Sequence, residues 1–286
     1  MKTKQRTLLG LLVLVLLLGG ALALLTRQNQ KAEQAASEAA QGTIPLSSFA
    51  AADDLTEIVV TYNGETNTLH SADGGWTLAE DPAYHLDETS CNTMRTALAA
   101  LNAKRQLTEE PGEDYGFTAD SLTVTVTAAG ETNTFTFGAE NAATGDIYLK
   151  KAGDDALYTV AGTKASCFEV RKTDLFGAFN PAGLTSSAIE AVTLTKNGET
   201  LTPELTTELL SALSSYVTAQ TTDGDPAGRK ELAAAVVQTA DSTKTLTYYE
   251  GTNNYYLTVA GDTSLYTVDG STVQTILAAD AAEADS

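Results

Sequence analysis

The chain has 286 residues, with 37 Asp and Glu against 17 Lys and Arg and a formal net charge of -20 at pH 7. Lys2, Lys4, Arg6 and Arg27 come before any acid, so the remainder carries 37 acids against 13 bases, a balance of -24. So acidic a surface repels nucleic acid, whose nonspecific capture needs Lys and Arg to release counterions, and a nucleic-acid partner is excluded.

Thr7 to Leu25 runs nineteen residues without a charge. That is close to the roughly 20 apolar residues that cross a bilayer as a helix, and it predicts a transmembrane helix over 7–25. The bases before it stay on the cytoplasmic side, which makes residues 1–6 a cytoplasmic tail and sends the bulk of the chain outside. Ala21-Leu22-Ala23 has the small-residue spacing of a signal-peptidase site and is the competing reading, in which the segment is removed. Both readings export the rest of the chain. No cysteine follows the apolar run closely, so a lipoprotein is excluded. Residues 26–52, rich in Gln, Ala and Glu, form a stalk that cannot bury a core.

From Thr56 the hydrophobic period becomes two. Ile58, Val60 and Tyr62 alternate with polar residues, and Asn63-Gly64 is a strong hairpin signal. Trp76-Thr77-Leu78 adds a third short strand. Asp87 is placed as a helix N-cap with Leu86 and Cys91 as a hydrophobic staple, and Cys91, Met94, Leu98 and Leu101 share one helical face. Strands at Leu122–Val126 and Phe135–Phe137 come next, then the hairpin Tyr148 to Gly162, a short helix over Thr163–Lys172, and an apolar stretch ending at Pro181.

Tyr148 to Gly162 reads YLKKAGDDALYTVAG and Tyr256 to Gly270 reads YLTVAGDTSLYTVDG, identical at ten of fifteen positions. Asn197-Gly198-Glu199-Thr200 likewise repeats Asn63-Gly64-Glu65-Thr66. The offset falls from 134 at the first pair of matches to 108 at the second, so the second unit is 26 residues shorter, and it shows no counterpart of the Trp76 strand. Thr202-Pro203 reads as an N-cap and first helical position, leading a helix with Leu205, Leu209, Leu213 and Tyr216 on its apolar face. The expected fold class is α+β: two related units, each an antiparallel sheet packed on one main helix, at 53–181 and 182–278, preceded by one transmembrane helix. Residues 279–286, acidic and Ala-rich, are expected as a disordered tail.

The residues offer little chemistry. His70 and His85 belong to no metal-ligand spacing, and Cys91 and Cys167 to no CxxC, so no metal and no cofactor are predicted. The two thiols are read as buried rather than bridged. Asp81 with Asp87, Glu109 with Glu110 and Asp154 with Asp155 read as solvated loop charges, and Asp223-Gly224-Asp225 lacks the acids of a calcium loop. No catalytic residue is assigned and the chain is read as a non-enzyme. Tyr248, Tyr249, Tyr255 and Tyr256 form the candidate partner surface, because adjacent strand residues point to opposite faces and one of each pair stays outside.

The order Gly75-Trp76-Thr77-Leu78, the capped helix through Leu98 and Leu101, Asp114-Tyr115-Gly116-Phe117, Phe137-Gly138, Tyr148-Leu149, Leu157-Tyr158-Thr159-Val160 and Lys172-Thr173-Asp174-Leu175-Phe176 resembles the bacterial domain-of-unknown-function family numbered 4340. The resemblance covers residues 57 to about 180 well and the second unit more loosely. It implies an exported, membrane-tethered α+β protein set beside an ABC transporter, whose subunits are then the expected partners. No catalytic residues are known for that family, so none carry over. The function expected is a noncatalytic extracytoplasmic adaptor at the cell membrane, accessory to an ABC transporter. The alternative is a binding module for a cell-envelope polymer or solute, and an unrecognised hydrolase ranks below both.

Overall fold

A computed structural model describes residues 43–282 except 48, 50, 73, 74 and 111. The expected cytoplasmic tail, the membrane helix over 7–25 and the stalk up to residue 42 lie outside the described residues. Among the described residues no helix is long and apolar enough to cross a membrane.

The structure is mostly antiparallel sheet with a few helices. In chain order come β1 (Ile44–Pro45), β2 (Leu55–Tyr62), β3 (Glu65–Ala72), β4 (Gly75–Leu78), helix α1 (Glu88–Ala99), β5 (Asn102–Ala103), β6 (Arg105–Leu107), β7 (Thr123–Ala128), β8 (Glu131–Glu140), β9 (Asp146–Lys151) and β10 (Leu157–Ala161). Several 3-10 turns lead to β11 (Ala191–Lys196), β12 (Glu199–Leu201), α2 (Thr207–Leu213), β13 (Ala219–Thr221), β14 (Glu231–Gln238), β15 (Thr243–Glu250), β16 (Tyr255–Val259), β17 (Leu265–Val268) and α3 (Gly270–Ala278). An eight-stranded sheet has the order β4-β3-β2-β7-β8-β9-β10-β6, and a seven-stranded sheet the order β12-β11-β14-β15-β16-β17-β13. Strand for strand, the second order repeats the first without its outermost member.

Alternation sorts each sheet into an apolar and a polar face. In the first, Ile58, Val60, Leu69, Val124, Val126, Phe135 and Leu149 are buried against Cys91, Met94 and Leu98 of α1. The opposite face carries cross-strand threonine pairs, Thr61 with Thr66 at 3.0 Å and Thr125 with Thr134 at 2.9 Å. In the second, Leu194, Ala235, Val237, Leu246 and Leu257 meet Leu209 and Leu213 of α2 and Val273 and Ile276 of α3. Two helices share the work that one was expected to do. Where α3 follows β17, the first sheet has the 3-10 turns Gly162–Lys164, Ser166–Phe168 and Lys172–Leu175 after β10, in place of the helix expected over Thr163–Lys172.

The hairpin reading holds at its most demanding point. Asn63 and Gly64 have φ of 51° and 77°, and Asn197 and Gly198 have 53° and 81°, the left-handed pair that an Asn-Gly turn supplies. Three boundaries move. Part of the stretch expected as stalk joins the first core: β1 pairs with β5, and Leu46 and Phe49 are buried. Helix α2 starts at Thr207 under a Thr206 cap, because Pro203 is drawn into an antiparallel bridge with Ala281. It ends at Leu213, so Tyr216 misses the apolar face and is 63% exposed.

Helix α1 begins as read: the Asp87 carboxylate accepts from the Thr89 amide at 2.9 Å and the Ser90 hydroxyl at 2.7 Å. The Ser90 hydroxyl first, and then the Thr89 amide, outweigh partial burial and hold this carboxyl below its ordinary pKa. A depressed folded-state pKa gives a contribution that is complete above about pH 4 and lost as pH falls through the folded value. Asp87→Ala is therefore expected to cost about 1 kcal/mol at pH 7 by urea titration, with the difference from the parent shrinking below about pH 4.

Candidate functional site

The four tyrosines singled out by sequence divide by register. Tyr248 pairs with Ala233 and Leu257, all three on the core face, and is 1% exposed. Burial holds its phenol protonated well above the ordinary range. Tyr248 is therefore no partner residue: its ring fills the second core. Tyr255 also lies on the core face, partly packed, with its hydroxyl accepting from Gln274 Nε2 at 3.3 Å.

Tyr249 and Tyr256 are direct cross-strand neighbours on the outer face of β15 and β16. The Arg229 guanidinium stands 4.0 Å over the Tyr256 ring, a cation–π geometry, while Arg229 itself is exposed. Lys230 and Glu250 pair beside it at 3.4 Å. This is a half-buried aromatic patch with a cation held above it, set on a sheet whose other face is filled. Sequence alternation gave the two-faced arrangement but not Arg229, which comes from the loop before β14.

The repeated hairpins carry the same polar turn. Asp154 accepts from the Ala156 amide at 2.9 Å and from the Tyr158 hydroxyl at 2.6 Å. Asp262 accepts from the Ser264 amide at 2.8 Å and from the Tyr266 hydroxyl at 2.6 Å. Gly153 and Gly261, at φ of 80° and 89°, make both turns possible. Burial, aided by the Asp262 hydrogen bond, pushes the Tyr266 phenol up to about 12.

The two sheets meet through residues that sequence reading left unassigned. The His85 ring stacks on Phe179 with centroids 3.9 Å apart and planes 8° apart, and its Nδ1 lies 3.0 Å from the Gly177 carbonyl. Phe179 also meets Phe176 at 6.3 Å and the edge of Tyr266 at 5.7 Å. Gln220 on β13 clips the joint: its Oε1 accepts from the His85 amide at 2.8 Å, and its Nε2 donates to Ala83 O at 3.0 Å and Ser264 Oγ at 2.9 Å. Nearby, Lys172 donates to Asp81 at 2.7 Å. His85 is solvent-accessible but is committed to this joint. The aromatics here pack on one another.

The remaining titratable groups do not converge. His70 pairs with Glu57 at 3.1 Å on the exposed face. Cys91 and Cys167 are free, and burial raises their pKa to about 12 and about 11, so both stay as thiols near neutrality. No cluster of three metal-ligating side chains occurs among the described residues. An open groove of about 720 Å³ runs between α1 and the turns after β10, lined by Thr89, Asn92, Thr93, Thr96, Lys164 and Cys167 among others.

A family model described as Domain of unknown function (DUF4340) matches residues 76–234, more than half of the chain. The match begins in β4 and ends in β14, so it spans the joint and enters both sheets. No curated protein and no solved structure matches the chain.

Proposed function

The chain belongs to the DUF4340 family, and from that premise we propose that it is a noncatalytic adaptor, tethered by residues 7–25 to the bacterial cell membrane with its sheets outside, serving an ABC transporter. In this reading one ancestral sheet-and-helix module was copied, giving two related units joined at Phe179 and Gln220. The shared strand order and the matched Asp154–Tyr158 and Asp262–Tyr266 bonds support the doubling. The observation that carries the adaptor role is the outer-face patch of Tyr249 and Tyr256 under Arg229, since aromatic side chains with an Arg are the residue types that dominate protein interfaces.

The test is photo-crosslinking from residue 249 in native membranes, read by mass spectrometry with and without Arg229→Ala. A transporter subunit is expected to be recovered, with yield falling about tenfold in the variant, equivalent to about 1.4 kcal/mol. Recovery of no protein, or equal yield in the variant, counts against the adaptor. The second reading, an extracytoplasmic binding module for an envelope polymer or solute, is supported by the hydroxyl-lined groove along α1. It predicts recovery of glycan alone, and loss of that capture in Thr93→Trp.

A further inference from the structure

Beside helix α1 the first sheet has a wide groove where the second has a narrow one. At the offset of 108 that relates the two hairpins, Ala165 falls on Val273 and Phe168 on Ile276, all four buried, so the turns Gly162–Lys164 and Ser166–Phe168 stand where α3 stands. Lys164 then falls on Thr272. In the second sheet's layer the Thr272 hydroxyl donates directly to that of Ser215, just past α2, at 3.5 Å. In the first, the same gap takes the length of a lysine: Lys164 Nζ donates to the carbonyl of Ala100, just past α1, at 3.3 Å. The wider gap is the groove of about 720 Å³ along α1. The corresponding hollow between α2 and α3 is about 330 Å³ and is lined by Glu204, Glu208 and Asp280.

Charge separates the two more sharply than size does. The chain has 37 acids, yet among the described residues none lines the groove along α1, and Lys164 is the one charged side chain there. An anion meets a cation at this place with no carboxylate beside it. The wall of the groove has fixed hydrogen-bonding roles. Thr93 and Thr96 commit their hydroxyl protons to the carbonyls of Thr89 and Asn92, both at 2.8 Å, so toward the groove their oxygens accept. Asn92 Oδ1 accepts from Trp76 Nε1 at 3.2 Å, which leaves its Nδ2 as a donor, and Lys164 has further protons to give. These groups recur about once per 5.4 Å turn of α1, close to the length of one pyranose ring. Ala97, Ala100 and Ala161 add small apolar surface, which suits the apolar face of a sugar. A partner helix would need deep apolar pockets for its anchors, and an added strand would need a free sheet edge; walls made of a helix and turns lined by Thr, Asn and Ala offer neither.

We propose that this groove binds an acidic oligosaccharide, with Lys164 holding a sugar carboxylate, Asn92 donating to a ring substituent, and Thr93 and Thr96 accepting from sugar hydroxyls. The assignment rests on the binding-module reading above and gives it a ligand class and a residue that selects for charge.

Isothermal titration of the full-length protein with two tetrasaccharides tests this, one alternating glucuronate with N-acetylglucosamine and the other the neutral chitotetraose. The acidic sugar is expected to bind about tenfold more tightly than the neutral one. Lys164→Ala should remove that preference, Lys164→Arg should keep it, and Thr93→Trp should abolish binding of both sugars by filling the groove. Equal affinity for the two sugars in the parent, or a preference that survives Lys164→Ala, overturns the proposal while the binding module stands. Binding of neither sugar overturns both and leaves the groove to a protein partner.

Discussion

Tyr248→Ala should cost about 3–5 kcal/mol of stability, whereas Tyr249→Ala, one residue on, should cost less than about 1 kcal/mol. The difference rests on which face each ring occupies. Tyr248 is enclosed between Ala233 and Leu257 on the core face of its sheet, and removing it leaves a cavity of most of a phenol ring. Tyr249 lies on the outer face against Tyr256, where truncation opens no void. Urea unfolding of the two variants measures this directly. Equal losses would mean that Tyr249 is also a core residue, and the patch beneath Arg229 could not then serve a partner.

The second large effect is expected at the joint. Phe179→Ala removes the ring stacked on His85 and set against Phe176 and Tyr266, at a cost of about 2 kcal/mol for a half-buried aromatic. Because that ring links the two cores, the loss falls on their coupling: heat unfolding watched by Trp76 fluorescence, which reports the first core, should separate from unfolding watched by far-ultraviolet dichroism. Gln220→Ala should act in the same direction, since it removes three hydrogen bonds that cross or brace the joint. Coincident transitions in both variants would show that the sheets are coupled by something other than this cluster.

How much of the fold was legible in the sequence depends on the range of each interaction. The Asn63-Gly64 and Asn197-Gly198 turns were readable because two adjacent residues fix a hairpin. Helix α1 was readable because Asp87, Cys91, Met94 and Leu98 carry cap and period within three turns. Thr202-Pro203 misled for the converse reason: locally it suits a helix start, but pairing with a segment almost eighty residues away overrides that preference. Asp280-Ala281-Ala282 had no strand signature, since Ala and Asp are poor strand formers and only the partner edge selects the conformation. Of the candidate site, alternation showed that each tyrosine pair would be split between faces. It could not supply Arg229, or the commitment of His85 and Gln220 to the joint, because those contacts join distant parts of the chain.

The claim on which the rest depends is that one architecture is used twice. A crystal structure of the full chain, superposing residues 148–162 on 256–270, measures it. Matching backbones are expected, with the Tyr158 and Tyr266 hydroxyls each bonded to the aspartate four residues earlier and each hairpin in the same position within its sheet. Dissimilar turns, or hairpins at different positions in the two strand orders, would contradict it.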